Sequence, residues 1–351
     1  MDTKIIKINA LDDKSVRELE YAAKIIKSGG LVVFPTETVY GLGGDAEREG
    51  SVKKIYAAKG RPSDNPLIIH VADAESAEKY AYTTETYYRL AKQFMPGPIT
   101  VIMPSKDTVP LATRGGLDTV AVRCPQNPIA RRLISLSGTA IAAPSANLSG
   151  TPSPTSASHV IHDMTGRVDV IIDGGECDIG IESTIVKLDG EGSVTLLRPG
   201  KITVDELLSV VDEVKIADAV TDELKDGEIA ESPGMKYKHY APKAELMLLD
   251  GERREFVSFI KESSEENIAV IAYSEDIPEL SGIIPKENIY DFGSYLDKSM
   301  QAQRLFDILR RTDRVNYSRI YAPLPERTGI GLALYNRMIR AAAHKILNLR
   351  R

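Results

Sequence analysis

Residues 29–71 read GGLVVFPTETVYGLGGDAEREGSVKKIYAAKGRPSDNPLIIHV, and this stretch decides the fold. Residues 31–34 are continuously apolar, which predicts a strand buried on both faces, and Pro35 ends it. Ligands of open α/β sheets bind beyond the carboxyl ends of strands. Polar side chains follow this strand at such an end: Thr36, Glu37, Thr38 and Tyr40.

A second unit follows directly along the chain. Its pattern predicts a helix over 52–59, a polar loop over 60–65 and a buried strand over 66–71. Together the two units predict an α/β fold built on an open sheet. At the loop, Lys59 and Arg61 place two cations in a turn stiffened by proline, which suits phosphate oxygens. The alternative is a basic, solvated turn, because the surrounding residue types are ordinary in turns.

Composition restricts the class of protein. The chain has 351 residues, enough for two domains, with 42% hydrophobic and 27% charged residues, as in ordinary globular proteins. Its net charge of −6 argues against a surface devoted to nucleic acid. Two distant cysteines suit a reducing compartment, and neither a signal peptide nor a membrane-length apolar run is evident. We therefore expect a cytoplasmic protein that makes no membrane contact.

Two later segments resemble binding elements. Arg123 falls within an apolar run, where it either extends outward to solvent or pairs with an anion; the preceding glycine-rich loop favours the anion. The predicted strand 139–143 runs abruptly into a loop that is crowded with Ser145, Asn147 and Ser153. Composition alone allows a flexible loop, but its position directly after a buried strand favours a binding loop.

Five motifs carry a resemblance to a known family: FPTETVYGLG at 34–43, KIYAAKGRPSDNPLIIHV at 54–71, SANLSG at 145–150, ESTI at 182–185 and SPGMKYKHYAP at 232–242. Together they resemble the YrdC family of threonylcarbamoyl-AMP synthases in its long, two-domain form. The resemblance implies a twisted open α/β sheet with a large concave cavity, and a smaller Rossmann-like α/β domain after it. It also implies the conversion of L-threonine, bicarbonate and ATP to threonylcarbamoyl-AMP, pyrophosphate and water. The product serves tRNA modification beside the anticodon through a downstream transfer complex.

The resemblance also assigns roles to individual residues. Lys59 and Arg61 are expected to act in catalysis and to contact ATP. L-threonine is expected to contact Thr38, His70, Arg123, Ala143 (through its backbone) and Ser183. ATP is further expected to contact Asn65, Thr119, Ser145, Ser153, Arg198 and Tyr237. The triphosphate is expected to bring Mg²⁺ with it, so no protein metal site is expected.

The pattern along the chain divides it into three segments, 1–212, 213–244 and 245–351. The resemblance implies that these are a catalytic domain, a linker that covers the active site and a Rossmann-like domain. Strand-like and helical runs alternate in the last segment, which predicts a small parallel sheet flanked by helices. A helical pattern spans 328–347 and opens with Gly329 and Gly331. This pair suggests nucleotide binding only weakly, because it is not a complete G-x-G-x-x-G. The sequence leaves the oligomeric state open.

Two other functions remain open from the sequence. A non-catalytic RNA- or tRNA-binding protein would suit a concave basic surface, but the acidic charge balance opposes it. A carbamoyl-transfer module, as in hydrogenase-maturation relatives, would be expected to carry paired C-x-x-C motifs, and this chain has only two separated cysteines.

Overall fold

A computed structural model describes residues 2–60, 65–222, 232, 240–263 and 265–350. The chain folds into two compact units. The first comprises residues 1–149 and 153–236, and the second comprises residues 150–152 and 237–351. The segment boundaries expected from the sequence, 212 and 244, stay a prediction, because half of the expected linker lies outside the described residues.

The first unit is one large sheet flanked by helices. Its strands are β1 (Lys4–Lys7), β2 (Val32–Phe34), β3 (Gly41–Asp45), β4 (Ile68–His70), β5 (Ile99–Pro104), β6 (Thr119–Arg123), β7 (Ile141–Ala142), β8 (Val170–Asp173), β9 (Thr184–Gly190), β10 (Ser193–Arg198) and β11 (Glu213–Ile216). Its α-helices are α1 (Asp13–Lys27), α2 (Glu49–Lys59), α3 (Glu85–Phe94), α4 (Pro128–Ser137), α5 (Ala157–Met164) and α6 (Val204–Leu208).

The large sheet is mixed, in the order β1-β8-β2-β3-β7-β4-β6-β5-β9-β10-β11. β3 is antiparallel to both of its neighbours, and β7 is antiparallel to β4. β4 and β6 are parallel. Where two neighbouring strands are antiparallel, the loop before one strand lies beside the loop after the other. This mixing places residues 65–67, directly before β4, near the chain that leaves β7.

The core of the first unit explains why the opening motif is apolar and glycine-rich. Val32 and Phe34 of β2 are fully buried in a cluster with helices α1 and α4. Gly43 lies opposite Val32 in β3. A Cβ atom on Gly43 would lie 2.7 Å from both Phe34 Cε1 and Ile141 Cγ2. The missing side chain of Gly43 therefore leaves room for two side chains of the sheet itself, Phe34 and Ile141.

The second unit is a small doubly wound domain. Its strands are β12 (Glu245–Asp250), β13 (Ile268–Ala272), β14 (Ile289–Asp291), β15 (Arg319–Pro323) and β16 (Ile346–Asn348), and its α-helices are α7 (Arg253–Glu262), α8 (Ile277–Leu280), α9 (Lys298–Thr312) and α10 (Gly329–Ala341). The strand order is β14-β13-β15-β12-β16, and all of these pairs are parallel. The predicted parallel sheet is confirmed.

One helical prediction in the second unit is wrong in its extent. The pattern over 328–347 continues past the end of α10, but residues 346–348 form the edge strand β16. Ala343 and His344 have φ angles of 48° and 60°, in the left-handed region that ends a helix. The chain turns there, and its last apolar residues pair with β12 instead of extending the helix.

The packing at Gly43 gives a stability prediction. Gly43→Ala should lower the free energy of unfolding by about 1–3 kcal/mol, because the new methyl group overpacks Phe34 and Ile141. Gly50→Ala in α2 is the matched control, since nothing lies within 4 Å of a Cβ atom there, and the change should be neutral or slightly stabilising. Urea unfolding of both variants tests this, and equal midpoints would contradict it.

Candidate active site

The loop after β2 is held by its own threonines. Thr36 Oγ1 accepts hydrogen bonds from the backbone N–H groups of Thr38 and Val39, at 3.1 and 3.2 Å, and donates to the Val39 carbonyl at 2.6 Å. The hydroxyls of Thr36 and Thr38 lie 2.9 Å apart. Such side-chain-to-backbone bonds fix a turn without help from a sheet. The loop is therefore a rigid, buried element that carries Glu37 between the two threonines.

Glu37 and Arg123 form a buried ion pair. Arg123 Nη2 donates to Glu37 Oε1 at 2.7 Å. The Arg123 side chain is 5% exposed and the Glu37 side chain is 4% exposed. The sequence favoured an anion as the partner of Arg123, and an anion is present, but it is a carboxylate of the chain itself. Sequence reasoning did not select Glu37 as a site residue. Its only signal was its position between two threonines at a strand's carboxyl end.

His70 is the cross-strand neighbour of Arg123. The two residues pair in register at the carboxyl ends of β4 and β6. Burial, followed by the positive charge of Arg123, lowers the pKa of His70 to about 3. The imidazole is therefore neutral at physiological pH. It can accept a hydrogen bond at one ring nitrogen and donate one from the other, but it cannot supply a positive charge.

Several buried polar atoms here have no hydrogen-bond partner within the part of the chain that the structure describes. They are Glu37 Oε2, Arg123 Nε, His70 Nδ1 and both polar atoms of the Asn65 side chain. A buried polar atom without a partner costs about 1–3 kcal/mol, so such atoms are uncommon in folded proteins. Their concentration among predicted site residues indicates groups that await a ligand.

Lys59 joins the end of α2 to the loop after β7. Its ammonium group donates to the carbonyl oxygens of Ser145 and Asn147, at 2.5 and 2.8 Å, although Lys59 is only 4% exposed. The Ser145 hydroxyl donates to Asn147 Oδ1 at 2.5 Å. Lys59 and Ser145 were both predicted to contact ATP, and the structure brings them together. Asn147 belongs to the same cluster, although the sequence assigned it no role.

A second cluster surrounds Ser183. Arg198 donates through Nε to the Ser183 carbonyl and through Nη2 to the Ser183 hydroxyl, each at 3.0 Å. The Ser183 hydroxyl also lies 2.8 Å from Thr100 Oγ1. The neighbouring Glu182 accepts a hydrogen bond from the Ser153 hydroxyl at 2.5 Å. The structure thus connects three predicted residues from distant segments. Arg198 bonds directly to Ser183, and Ser153 bonds to Glu182, which precedes Ser183 in the chain. The sequence did not select Glu182.

The mixed sheet sorts the remaining residues by edge. Because β4 is parallel to β6 and antiparallel to β7, the chain enters β4 and β6 where it leaves β7. Asn65, Thr119 and Ser145 therefore share that edge, whereas His70 and Arg123 end their strands at the other. Thr119 and Arg123 are separated by about 13 Å of extended chain in β6. Three of the predicted ATP contacts are grouped in this way.

Other predicted residues are less informative in the structure. The N–H of Ala143 donates to the Ile68 carbonyl at 2.9 Å, so it is committed to the sheet and only the carbonyl side of that backbone is left for a ligand. Arg61 and Tyr237 lie outside the described residues. Among the residues that are described, no group of three or more His, Cys, Asp and Glu side chains is arranged to hold a metal ion. None of the described helices is both long and apolar enough to cross a membrane.

Comparison with known proteins finds relatives over nearly the whole chain. Residues 24–200 match the Sua5, YciO and YrdC family model, described as "Telomere recombination", and residues 202–343 match the C-terminal domain of threonylcarbamoyl-AMP synthase. A threonylcarbamoyl-AMP synthase of Pyrococcus abyssi is 44% identical, over 95% of this chain and 96% of its own. One of Bacillus subtilis is 40% identical, over 99% and 100%. The chain belongs to the threonylcarbamoyl-AMP synthase family.

The solved structures support the same membership. Pyrococcus abyssi Sua5 in complex with L-threonine is 42% identical and has a TM-score of 0.90, with 99% of this chain and 100% of that one covered. The resemblance read from the sequence motifs is therefore confirmed, as is the α/β fold class of the threonylcarbamoyl-AMP synthase family. The roles of individual residues stay predictions.

The buried imidazole gives a pH prediction. Because the pKa of His70 is lowered to about 3 in the folded chain, from 6.5 for an ordinary histidine, the unfolded chain binds this proton more tightly between those values. The stability that a neutral His70 provides is therefore present above pH 6.5 and is lost as the pH falls toward 3. His70→Gln should weaken the acid dependence of the urea midpoint between about pH 7 and 4.

The control for that measurement is Arg17→Gln, an exposed change on α1 that removes no imidazole. It should keep the slope of the parent chain. An unchanged slope in His70→Gln would show that the imidazole is not held neutral by the fold.

Proposed function

We propose that this chain synthesises L-threonylcarbamoyladenylate from L-threonine, bicarbonate and ATP, with release of pyrophosphate and water. Family membership over nearly the whole chain supports this activity. The observation that carries it to particular residues is the buried pair Arg123–Glu37, each member of which keeps one polar atom unpaired within the described chain.

Those two atoms match the two charges of an amino acid. Arg123 Nε is a donor for a carboxylate, and Glu37 Oε2 is an acceptor for an ammonium group. The relative from Pyrococcus abyssi was solved with L-threonine, which supports L-threonine as a ligand of this chain. We therefore assign the α-carboxylate to Arg123 and the α-ammonium to Glu37. The hydroxyls of Thr38 and Ser183 and the neutral His70 complete the proposed threonine site, with the Ala143 carbonyl as a further acceptor.

This assignment gives Glu37 a role in the first step. The threonine amine must lose a proton before its nitrogen attacks carbon dioxide or bicarbonate to form a carbamate. A carboxylate that binds the ammonium orients the nitrogen and accepts a hydrogen bond from it until that proton leaves. The carbamate decomposes readily in water, so a buried site protects it.

The second step is nucleotidyl transfer. A carbamate oxygen attacks the α-phosphorus of ATP, and the bond to pyrophosphate breaks. Such transfers depend on positioning and on neutralising charge more than on a covalent nucleophile. Lys59, Arg61 and Arg198 are the proposed cations for the phosphates. Hydroxyl, amide and phenol groups hold the rest of the nucleotide: Asn65, Thr119, Ser145, Ser153 and Tyr237.

Mg²⁺ is proposed to arrive with the triphosphate. The carboxylates near the described site have other roles: Glu37 Oε1 accepts from Arg123, Glu37 Oε2 is assigned to the threonine ammonium, and Glu182 accepts from Ser153. This donor set fits a metal ion held mainly by phosphate oxygens and water. The ion would neutralise phosphate charge, while the side chains of this chain orient the reacting groups.

The wider context is also a proposal. The product is an activated mixed anhydride that a downstream enzyme complex can use to modify an adenosine of tRNA, so the link to tRNA is indirect. We place this activity in the cytoplasm, which suits two buried cysteines that form no disulfide.

The activity is tested by incubating the full chain with ATP, Mg²⁺, L-threonine and bicarbonate and following pyrophosphate release with each component omitted in turn. We expect release to require both threonine and bicarbonate, and mass spectrometry to detect threonylcarbamoyl-AMP. Threonine-independent release, or none from a folded chain that binds ATP, would contradict the proposal. A salt-dependent affinity for RNA without turnover would then favour the RNA-binding alternative.

The role of Glu37 is tested with Glu37→Gln, which keeps the shape of the side chain and removes its charge. The KM for threonine should rise about tenfold or more through the loss of a charge-assisted hydrogen bond, while the KM for ATP changes little. Arg17→Gln, an exposed change on α1, serves as the control for surface charge. Equal effects on both KM values, in a variant with parent-like thermal stability, would exclude Glu37 from the threonine site.

A further inference from the structure

A second site candidate lies entirely within the C-terminal unit. A cavity of about 920 Å³ opens where strands β12, β13 and β15 end, and residues of the loops after these three strands line it. Its size is in the range of small-molecule sites, about 300–1,000 Å³. None of the residues assigned to threonine or ATP above lines it.

The topology explains why a cavity forms there. β12 and β15 are adjacent and parallel. The chain leaves β12 toward β13 on one side of the sheet order, and it leaves β15 toward β16 on the other. With right-handed crossovers, α7 and α10 must then cover opposite faces. The two loops separate at this point and leave a crevice, which is the place where doubly wound sheets bind their ligands.

The acceptors in this cavity are already used by the protein. Glu275 accepts from the Ser294 hydroxyl at 2.5 Å and from the Tyr295 N–H at 3.0 Å. Tyr295 in turn donates its hydroxyl to Glu326 at 2.7 Å. Ion pairs hold the lining carboxylates Asp250, Asp276 and Glu279. The carboxylates therefore organise the walls of the cavity through hydrogen bonds and ion pairs to the protein itself.

The arginines, in contrast, retain donors. Arg253 uses Nε and Nη2 to hold the buried Asp276, at 3.3 and 2.6 Å, which occupies two of the five N–H donors of a guanidinium. Arg327 uses Nη2 on the Tyr335 hydroxyl at 2.6 Å. Arg254 and Arg350 line the same cavity. A ligand that supplies anionic oxygens complements this set of donors.

The loop after β15 leads into a second feature that favours an anion, the N-terminus of α10. α10 has 13 residues and begins at Gly329, its first turn holds no acidic residue, and no side chain of the described residues caps it. At Gly331 a Cβ atom would lie 2.6 Å from the Glu326 carbonyl, so only glycine lets this loop pack on the helix. Helix N-termini favour anions. The glycine pair that the sequence marked only weakly thus follows a strand and opens a helix, shortly after Glu326 and Arg327, which line the cavity.

The rest of the cavity suits an organic group larger than a phosphate. Leu324, Pro325 and the buried Phe256 give it an apolar wall. Glu275 lies shortly after the neighbouring strand β13, where its carboxylate holds Ser294 and Tyr295. We propose that the C-terminal unit binds a nucleoside phosphate in this cavity, with its phosphates at Arg327 and Arg253. This site is separate from the catalytic one and does not depend on the proposed reaction.

Hydrogen–deuterium exchange of the full chain with and without ADP locates such a site directly. We expect ADP to slow exchange in peptides that cover 250–257, 273–279 and 323–330. The same experiment measures protection of peptides from the catalytic unit, and that protection is interpreted separately because the catalytic unit is proposed to bind ATP. Protection confined to the catalytic unit, at saturating ADP, would overturn the proposal.

Arg327→Gln tests the predicted phosphate contact, because Arg327 is exposed and its loss should not unfold the domain. About ten times more ADP should be needed to protect the three peptides in this variant. Arg314→Gln, an exposed arginine of the same unit outside the cavity, should leave it unchanged. Equal behaviour of the two variants contradicts the site. Equal protection by pyrophosphate alone would contradict a nucleoside ligand.

Discussion

The buried ion pair between Glu37 and Arg123 is the constraint on which the candidate active site depends. Removing two charges from water is costly, and a pair in the protein interior recovers that cost only with good geometry and further hydrogen bonds. Here the geometry is good, at 2.7 Å, but Glu37 Oε2 and Arg123 Nε receive no partner from the described chain. The charge of Arg123 also helps to keep the neighbouring His70 neutral. One interaction thus joins the β2 loop to the end of β6, and its arginine adds to the burial that lowers the pKa of His70.

The mixed sheet gives that pair its surroundings. An all-parallel sheet would place every binding loop at one edge, after the strands. In this unit, the reversals at β3 and β7 bring the chain before β4 and β6 to the edge where β7 ends. Lys59 then ties α2 to the β7 loop through two backbone carbonyls. Ser183 and Arg198, proposed for different substrates, are hydrogen-bonded to each other. One sheet that holds the contacts for both molecules suits a reaction that depends on their orientation.

The sequence predicted some of this and could not predict the rest. The apolar run before Pro35 predicted β2, and alternating runs predicted the parallel C-terminal sheet, because burial leaves a local pattern. Arg123 was expected to meet an anion, but its partner lies 86 residues away, and no local pattern encodes that distance. The order of strands in either sheet was beyond prediction for the same reason. The helix over 328–347 was predicted too long because the residues of β16 continue its apolar spacing, and only the left-handed backbone at Ala343 and His344 separates them.

The two candidate sites differ in how their polar groups are satisfied, and the difference has a physical meaning. In the catalytic unit, buried donors and acceptors of several kinds lack partners within the described residues, and each costs stability until a ligand supplies one. The surrounding apolar core, from α1 to α4, is extensive enough to offset that cost. In the C-terminal cavity the carboxylates are satisfied by the protein, and the arginines lie near water, where unused donors cost little. The first arrangement is specific for one shape of ligand because any mismatch leaves a buried group unpaired. The second selects mainly by charge, so it should tolerate more variation in the ligand's organic part.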